Sequence, residues 1–333
     1  MIIPSDAALR KWSLKKQKSE SLATMMLNSI DITDSSEKTI SDRLRWERMR
    51  DCATRLEYQY CPDCGSMHLA RTNLCRDRLC AVCAWRLSMQ RYAEMLHALN
   101  LIYEKNKYIS AAMLTLTIRN CETSELRSTI KKLNSAFAKL RKRRIFQKYV
   151  IAYAKSIEIT KNAKNNTYHP HAHVLLLFDK AYKKTYITQR EWADMWSQCL
   201  NVDYTAIVDI RAAYCADVNV NKNVDNITKF DATLKAALES CKYALKDNVL
   251  DESDVKSVNE ISDALKDMRL ISYGLELAAA RRELKYKDED RAVYDVDAAE
   301  LCCPKCGNET LIDIVYEWAK SSYMPASDFT YQR

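Results

Sequence analysis

The segment His169-Pro170-His171-Ala172-His173 runs directly into Val174-Leu175-Leu176-Leu177-Phe178, and it constrains the fold more than any other stretch of the chain. An apolar run of this length reads as a buried β-strand. Strand side chains alternate between faces, so His171 and His173 point the same way. Two imidazoles on one face of a rigid strand are half of a divalent-metal site. A cation held there is placed to position a phosphate or to activate a nucleophile.

Val150 to Thr160 reads as a second strand, joined to the first by the hairpin-like polar turn Lys161-Asn162-Ala163-Lys164-Asn165-Asn166. The hairpin sets Glu158 beside His171 and His173, since facing side chains of an antiparallel pair lie about 5 Å apart. Glu158 is therefore the candidate third ligand. His169, also on that face, is its competitor. Two imidazoles and a carboxylate, with open positions for water, suit magnesium or manganese. Met113 to Ile118 alternates apolar residues with Thr, and Tyr204 to Ile210 is a further strand. Helices are expected over 87–105, about 123–145, 231–247, 257–269 and 275–286, with another opened by the capping box Thr188-Gln189-Arg190-Glu191. Strands separated by helices, with this hairpin, give an α+β fold whose central, mainly antiparallel sheet is flanked by helices.

The net charge of +8 is a weak signal on its own, because surplus lysine often only solvates a surface. Its distribution says more. Leu126, Ile130, Leu133, Phe137 and Leu140 form an apolar helical stripe, followed by Lys139, Arg141, Lys142, Arg143, Arg144 and Lys148. The helix dipole favours cations at a C-terminus but does not require so many. Arg141, Lys142, Arg143 and Arg144 are accordingly read as DNA-phosphate contacts. With only 3 glycines and no G-x-G-x-x-G or Walker sequence, the chain lacks a Gly-rich phosphate cradle. No run approaches the ~18 apolar residues of a membrane span.

Thirteen cysteines without an N-terminal apolar signal region point to a reducing, cytoplasmic setting with metal-bound thiolates. Cys61-x2-Cys64, then 15 residues, then Cys80-x2-Cys83 fits a four-cysteine zinc site. Cys75 and His68 are extra donors, and Cys303-x2-Cys306 is a second knuckle. Together these eight residues could supply two four-ligand sites. Cys52, Cys121, Cys199, Cys215 and Cys241 read as free buried cysteines. The module is architectural, or helps DNA docking through Arg71, Arg76, Arg78 and Arg86. The chain then divides into a polar segment (1–50), a cysteine-rich zinc module (51–90), a main domain (91–286), and a linker with a C-terminal Cys-x2-Cys module (287–333).

In the expected helix over 231–247, Glu239 and Tyr243 are four residues apart and share a face, with Lys246 three further on. A tyrosine, a carboxylate and a lysine on one stripe make a sensible phosphoryl-transfer set. A phenol of pKa near 10 attacks phosphate well only when its proton loss is assisted. Among 19 tyrosines, helical spacing alone does not single out Tyr243.

His171-Ala172-His173 resembles the His-hydrophobe-His motif of HUH endonucleases. Leu114-Thr115-Leu116-Thr117, Glu158-Ile159-Thr160, the histidine segment and Glu239-x2-Lys242-Tyr243-x2-Lys246-Asp247 follow the order and spacing of rolling-circle replication initiators (Rep proteins) of small bacterial plasmids. Cys75-Arg-Asp-Arg-Leu-Cys80-Ala-Val-Cys83-Ala-Trp85-Arg86 resembles the cysteine signature preceding the catalytic part in that family. The resemblance implies that 91–286 is an HUH-type nicking domain. It makes Tyr243 the nucleophile that forms a 5′-phosphotyrosine link at the origin, single-stranded or in a hairpin, and frees a 3′-hydroxyl primer. Glu239 is then the general base of the closing cleavage, and His171, His173 and Glu158 hold the ion. It also raises Cys64, Cys75, Cys80 and Cys83 as an alternative zinc set, and implies a host helicase and polymerase as partners in the bacterial cytoplasm. Ala172 is smaller than the bulky residue common at that position, and it lies on the strand face away from the ligands. The rival readings are a relaxase or transposase of the same superfamily, a non-catalytic zinc-module DNA-binding regulator, and a hydrolase of small molecules, which the basic stretch opposes.

Overall fold

A computed structural model describes residues 6–31, 33–106, 109–162, 164–179, 182, 187–212, 233–237, 245, 249, 254–287 and 302–332. In chain order these form α1 (Asp6–Asn28), α2 (Glu37–Arg50), β1 (Arg55–Tyr60), β2 (Met67–Thr72), α3 (Ala81–Lys105), β3 (Ser110–Thr117), α4 (Leu126–Leu140) and α5 (Arg144–Tyr149). There follow β4 (Val150–Asn162), β5 (Thr167–Phe178), α6 (Gln189–Leu200), β6 (Val208–Ala212), α7 (Val255–Leu265), β7 (Ile271–Leu275), α8 (Glu276–Lys287), β8 (Ile312–Ala319) and β9 (Ser322–Gln332). The chain divides into two compact units, one of residues 1–87 with 287–333 and one of residues 88–286. The architecture is α+β with two antiparallel sheets. No helix among the described residues is long and apolar enough to cross a membrane.

The second unit is built on a five-stranded sheet of order β6-β3-β5-β4-β7. β5 is its middle strand, which explains why its sequence is apolar on both faces. Leu175 and Leu177 pack on one face with Met95, Leu99 and Ile102 of α3 and Leu277 and Ala280 of α8. On the other face Tyr153 of β4 meets Phe137 of α4 edge to face, with ring centroids 5.3 Å apart. The face that buries Leu175 and Leu177 carries His173 and His171 toward the start of the same strand. Thr188 and Glu191 close the expected capping box at the start of α6.

One glycine is decisive in this sheet. Gly274 of β7 pairs with Tyr153 across the strands. A Cβ at Gly274 would overlap the Tyr153 ring, so the missing side chain is the space in which the tyrosine lies.

The first unit holds a four-stranded sheet, β2-β1-β8-β9. The polar segment 1–50 forms α1 and α2, which pack on each other and bury Trp12, Met26, Trp46 and Met49. The segments read from the sequence as 1–50, 51–90 and 287–333 thus contribute to one unit, because β8 pairs with β1 despite their separation along the chain.

Two boundaries differ from expectation. The helix expected over about 123–145 ends at Leu140, and Arg143 takes an extended conformation before α5. After the break Phe146 meets Phe137 of α4 edge to face, with ring centroids 6.2 Å apart, and Tyr149 is buried against Tyr182. The strand expected from Tyr204 begins at Val208, because Tyr204 lies under the Arg119 guanidinium, 3.8 Å from Cζ to ring centroid. Most of the helix expected over 231–247, and the 287–300 linker beyond Lys287, lie outside the described residues. Residues 233–237 are helical.

Gly274→Ala is expected to lower the free energy of unfolding by about 1–3 kcal/mol, the usual range for overpacking. Chemical denaturation checks this; an unchanged midpoint would mean that the Tyr153 ring does not fill that space.

Candidate metal and DNA sites

The β4–β5 hairpin sets the first site. Its register places Glu158 opposite His171 and Ser156 opposite His173. Glu158 Oε1 lies 3.6 Å from His171 Nε2, and Oε2 lies 3.5 Å from His173 Nε2. All three side chains are largely shielded from water, and one ligand atom from each lies within 4.8 Å of the others. His171 Nδ1 donates to the His169 carbonyl at 3.1 Å, and Thr115 Oγ1 lies 3.3 Å from His173 Nδ1. Each Nδ1 thus has a local partner, which leaves each Nε2 for the cation. Burial pushes the His171 pKa below its ordinary value, which favours the neutral, metal-binding ring.

Two ligands about 2.1 Å from a cation, subtending 90–110°, are roughly 3.0–3.5 Å apart. The observed nitrogen–oxygen spacings match the upper end of that range. The cluster could hold a metal ion without a change of fold. His169 stacks on His171 with ring centroids 5.1 Å apart and an interplanar angle of 22°, and stands outside the three-residue cluster. Of the two candidates for third ligand, the geometry brings in Glu158.

Glu239, Tyr243 and Lys246 lie outside the described residues, as do Cys215 and Cys241. Leu245 is described, and it bridges in parallel to Ile159, the residue after Glu158.

The cysteines form two sets, each with its sulfurs within 4.8 Å of one another. The first is Cys52, Cys75, Cys80 and Cys83. Sγ–Sγ distances are 3.6 Å for Cys52–Cys83, Cys75–Cys83 and Cys52–Cys80. The backbone N–H groups of Cys75 and Arg76 donate to the Cys52 and Cys83 sulfurs. Fully buried Lys16, whose ammonium donates to the Arg50 carbonyl, lies near this set; burial lowers its pKa, against the opposing fields of Glu20, Cys52, Asp51 and Cys80.

The second set is Cys61, Cys64, Cys303 and Cys306, with Sγ–Sγ distances of 3.5 Å for Cys61–Cys306 and 3.6 Å for Cys64–Cys303. The two knuckles repeat one geometry. Gly65 N–H donates to the Cys61 carbonyl and Gly307 N–H to the Cys303 carbonyl, with φ of 69° and 75° at the two glycines. Ser66 Oγ lies 3.0 Å from Cys64 Sγ and 3.2 Å from Cys303 Sγ; its hydrogen bond draws the Cys303 thiol down to about 6. A metal bound tetrahedrally by sulfur at about 2.3 Å needs S–S edges of about 3.8 Å, so both sets have the dimensions for one ion.

Two assignments from the sequence change here. His68 is in neither set: it faces Gln59 across the β1–β2 pair, with Nε2 3.2 Å from Oε1. Cys52, expected to be a free buried thiol, takes the fourth place, because the end of α2 brings it to the loop that carries Cys75. Neither Cys61-Cys64-Cys80-Cys83 nor Cys64-Cys75-Cys80-Cys83 assembles. The signal for the second pairing is the repeated Cys-Pro-x-Cys-Gly at 61–65 and 303–307. Cys121 and Cys199 are buried as expected.

Arg141, Lys142 and Arg144 are exposed and Arg143 is half-buried, all at the junction of α4 and α5. Arg141 is anchored: its Nη1 donates to the Tyr153 hydroxyl at 2.7 Å.

Cys52→Ser is expected to cost the purified protein one of the two ions that the cysteine sets could hold, measured by elemental analysis. Cys302→Ser should cost none. Equal metal content in wild type and Cys52→Ser would exclude Cys52 as a ligand.

Residues 66–324 match the model of the family described as "Replication protein". The chain is 33% identical over 254 residues to "Protein rep" of Bacillus amyloliquefaciens, covering 73% of this chain and 74% of that one. It is 30% identical over 278 residues to "Protein rep" of Lentilactobacillus hilgardii, covering 81% and 84%. Over 258 residues it is 31% identical to "Protein rep" of Streptococcus pneumoniae D39, covering 75% and 76%. No solved structure matches the chain. The chain belongs to the replication-protein family, the rolling-circle initiators of plasmid replication.

Proposed function

We propose that the chain nicks one strand of plasmid origin DNA with Tyr243 and later rejoins strands. The observation that carries this reading is the cluster of His171, His173 and Glu158 on the central strand pair of a replication protein. Leu245 adds support. It is bridged to Ile159 beside Glu158, and Tyr243 stands two residues before it in sequence.

The phenolic oxygen of Tyr243 attacks the scissile phosphorus and forms a 5′-phosphotyrosine ester. The bond from phosphorus to the 3′-oxygen breaks, and that oxygen leaves as a 3′-hydroxyl after taking up a proton. Magnesium or manganese, held by His171, His173 and Glu158, supplies charge stabilisation to the scissile phosphate when bound. Glu239 takes a proton from water in the closing cleavage, and Lys246 offsets charge on the phosphate. Arg141 to Arg144 hold the DNA backbone. Zinc fills both cysteine sets and is structural; such sites contribute about 10–16 kcal/mol of apparent binding energy to folding. Extension of the freed 3′-hydroxyl requires a host polymerase and helicase, in the bacterial cytoplasm where plasmid DNA resides.

Wild-type protein incubated with single-stranded origin DNA and Mn²⁺ is expected to form a covalent adduct that survives denaturing gels. Tyr243→Phe abolishes it while DNA binding survives, and Glu239→Ala still nicks but fails at the closing step. An adduct of undiminished yield in Tyr243→Phe would remove Tyr243 from the role.

A further inference from the structure

The row of paired residues that carries the metal ligands continues past them across the sheet. Glu158 pairs with His171, and His171 with Thr117 of β3. Thr117 donates twice to the Ile207 carbonyl, from its N–H at 3.3 Å and from its hydroxyl at 2.8 Å. That contact extends the β3–β6 register one residue beyond Leu116 and Val208. Residues paired across strands share a face, so Ile207 stands on the face of His171 and Glu158. Two strand spacings, about 10 Å, separate its backbone from that of His171. Ile207 is 75% exposed, more than any other large apolar side chain among the described residues.

A stacked pair stands at the same end of β3. Arg119, exposed two residues beyond Thr117, sets its Cζ 3.8 Å from the centroid of the Tyr204 ring. Its backbone N–H donates to the Tyr204 hydroxyl at 3.3 Å. The loop from α6 to β6 carries both Tyr204 and Ile207, and it is anchored. Ser197 Oγ of α6 accepts from the Ala206 N–H at 2.8 Å, and Trp196 Nε1 of the same helix donates to the Thr117 carbonyl at 2.7 Å. Hydrogen bonds to helix and strand thus set the backbone under all three side chains.

An exposed guanidinium stacked by one face on a ring can take a second planar group on the other. An exposed apolar side chain on the same loop can remove part of that group from water. Nucleobases have such planar faces, and they are open only where a strand is unpaired, because a duplex buries them in its own stack.

We propose that Arg119, Tyr204 and Ile207 form a stacking platform for an unpaired base of the origin strand, next to the scissile phosphate. The proposal rests on the nicking reading for its choice of ligand. The three are positioning residues: they hold a base so that the neighbouring phosphate lies at the His171, His173 and Glu158 cluster.

The test uses the full chain carrying Tyr243→Phe, so that binding is read without strand cleavage. Affinity is measured for a labelled single-stranded oligonucleotide of the origin and for the same sequence as a duplex. Arg119→Lys keeps the charge and removes the plane, and Ile207→Ser removes the apolar contact. Each is expected to weaken single-strand binding about 10-fold, the order of one stacked base, and to change duplex binding by less than about 2-fold. The slope of log K against log salt stays constant in both, since no charge is lost. Single-strand affinities equal to the parent's in both variants overturn the proposal. So do equal losses on single strand and duplex, since the residues then contact backbone and not base. If thermal unfolding shows that one variant fails to fold, the other decides alone. Adduct formation by wild type is scored separately; its failure would count against nicking and leave these affinities readable.

Discussion

The register of one hairpin holds the candidate active site together. β4 and β5 pair so that Glu158 faces His171, and both histidine Nε2 atoms meet the two oxygens of one carboxylate. A slip of one residue would turn the histidines to the opposite face and bring Ala172 and Val174 to the ligand side. The apolar half of β5 prevents that slip, because Val174 through Phe178 are each buried to 1% exposure or less. Core packing and metal geometry therefore depend on the same pairing. Thr115 and the His169 carbonyl then fix the orientation of the two rings from either side.

That half of the site is legible in the sequence because strand alternation and a short polar turn are local rules, and local rules determine where Glu158 falls. Cys52 is illegible for the opposite reason. It joins Cys75, Cys80 and Cys83 only after α2 and the loop beyond β2 have packed, and its spacing matches no simple ligand pattern. The amphipathic period of α4 is easy to see, but its end is not. Cations suit a helix C-terminus and a helix interior alike, and the break after Leu140 is accompanied by burial of Phe146 and Tyr149. The N-terminal segment reads as polar and peripheral, partly disordered or helical; the packing of its two helices is illegible because their buried residues, Trp12, Met26, Trp46 and Met49, are sparse among charges. Tyr243 stands out by family resemblance alone, since its helical spacing to Glu239 is equally that of a packing residue.

The second cysteine set solves a connectivity problem. Cys61 and Cys306 are 245 residues apart in the chain. Closing a flexible loop of about that length costs roughly 5 kcal/mol in entropy. The β1–β8 pairing shares that cost, and a structural zinc ion, if this set held one, would exceed it at about 10–16 kcal/mol. The β1–β8 and β8–β9 pairings bring the two knuckles together across that length of sequence. The buried first set, with Lys16 beside it, ties α1 and α2 to the start of α3 in the same unit.

Charge is distributed by the same logic of partners. The chain has 52 basic and 44 acidic residues, so carboxylates are available to pair with most cations. Arg45 and Arg55 have them, as does Arg281 of the larger unit. Arg141 instead finds a tyrosine hydroxyl and Lys155 an asparagine amide. A hydrogen bond to a neutral oxygen fixes a cation's position without cancelling its field, whereas an ion pair would do both. Gly274 belongs to this device: by leaving room for the Tyr153 ring, it sets the hydroxyl that holds Arg141. A backbone position in β7 thereby fixes where positive charge stands at the α4–α5 junction.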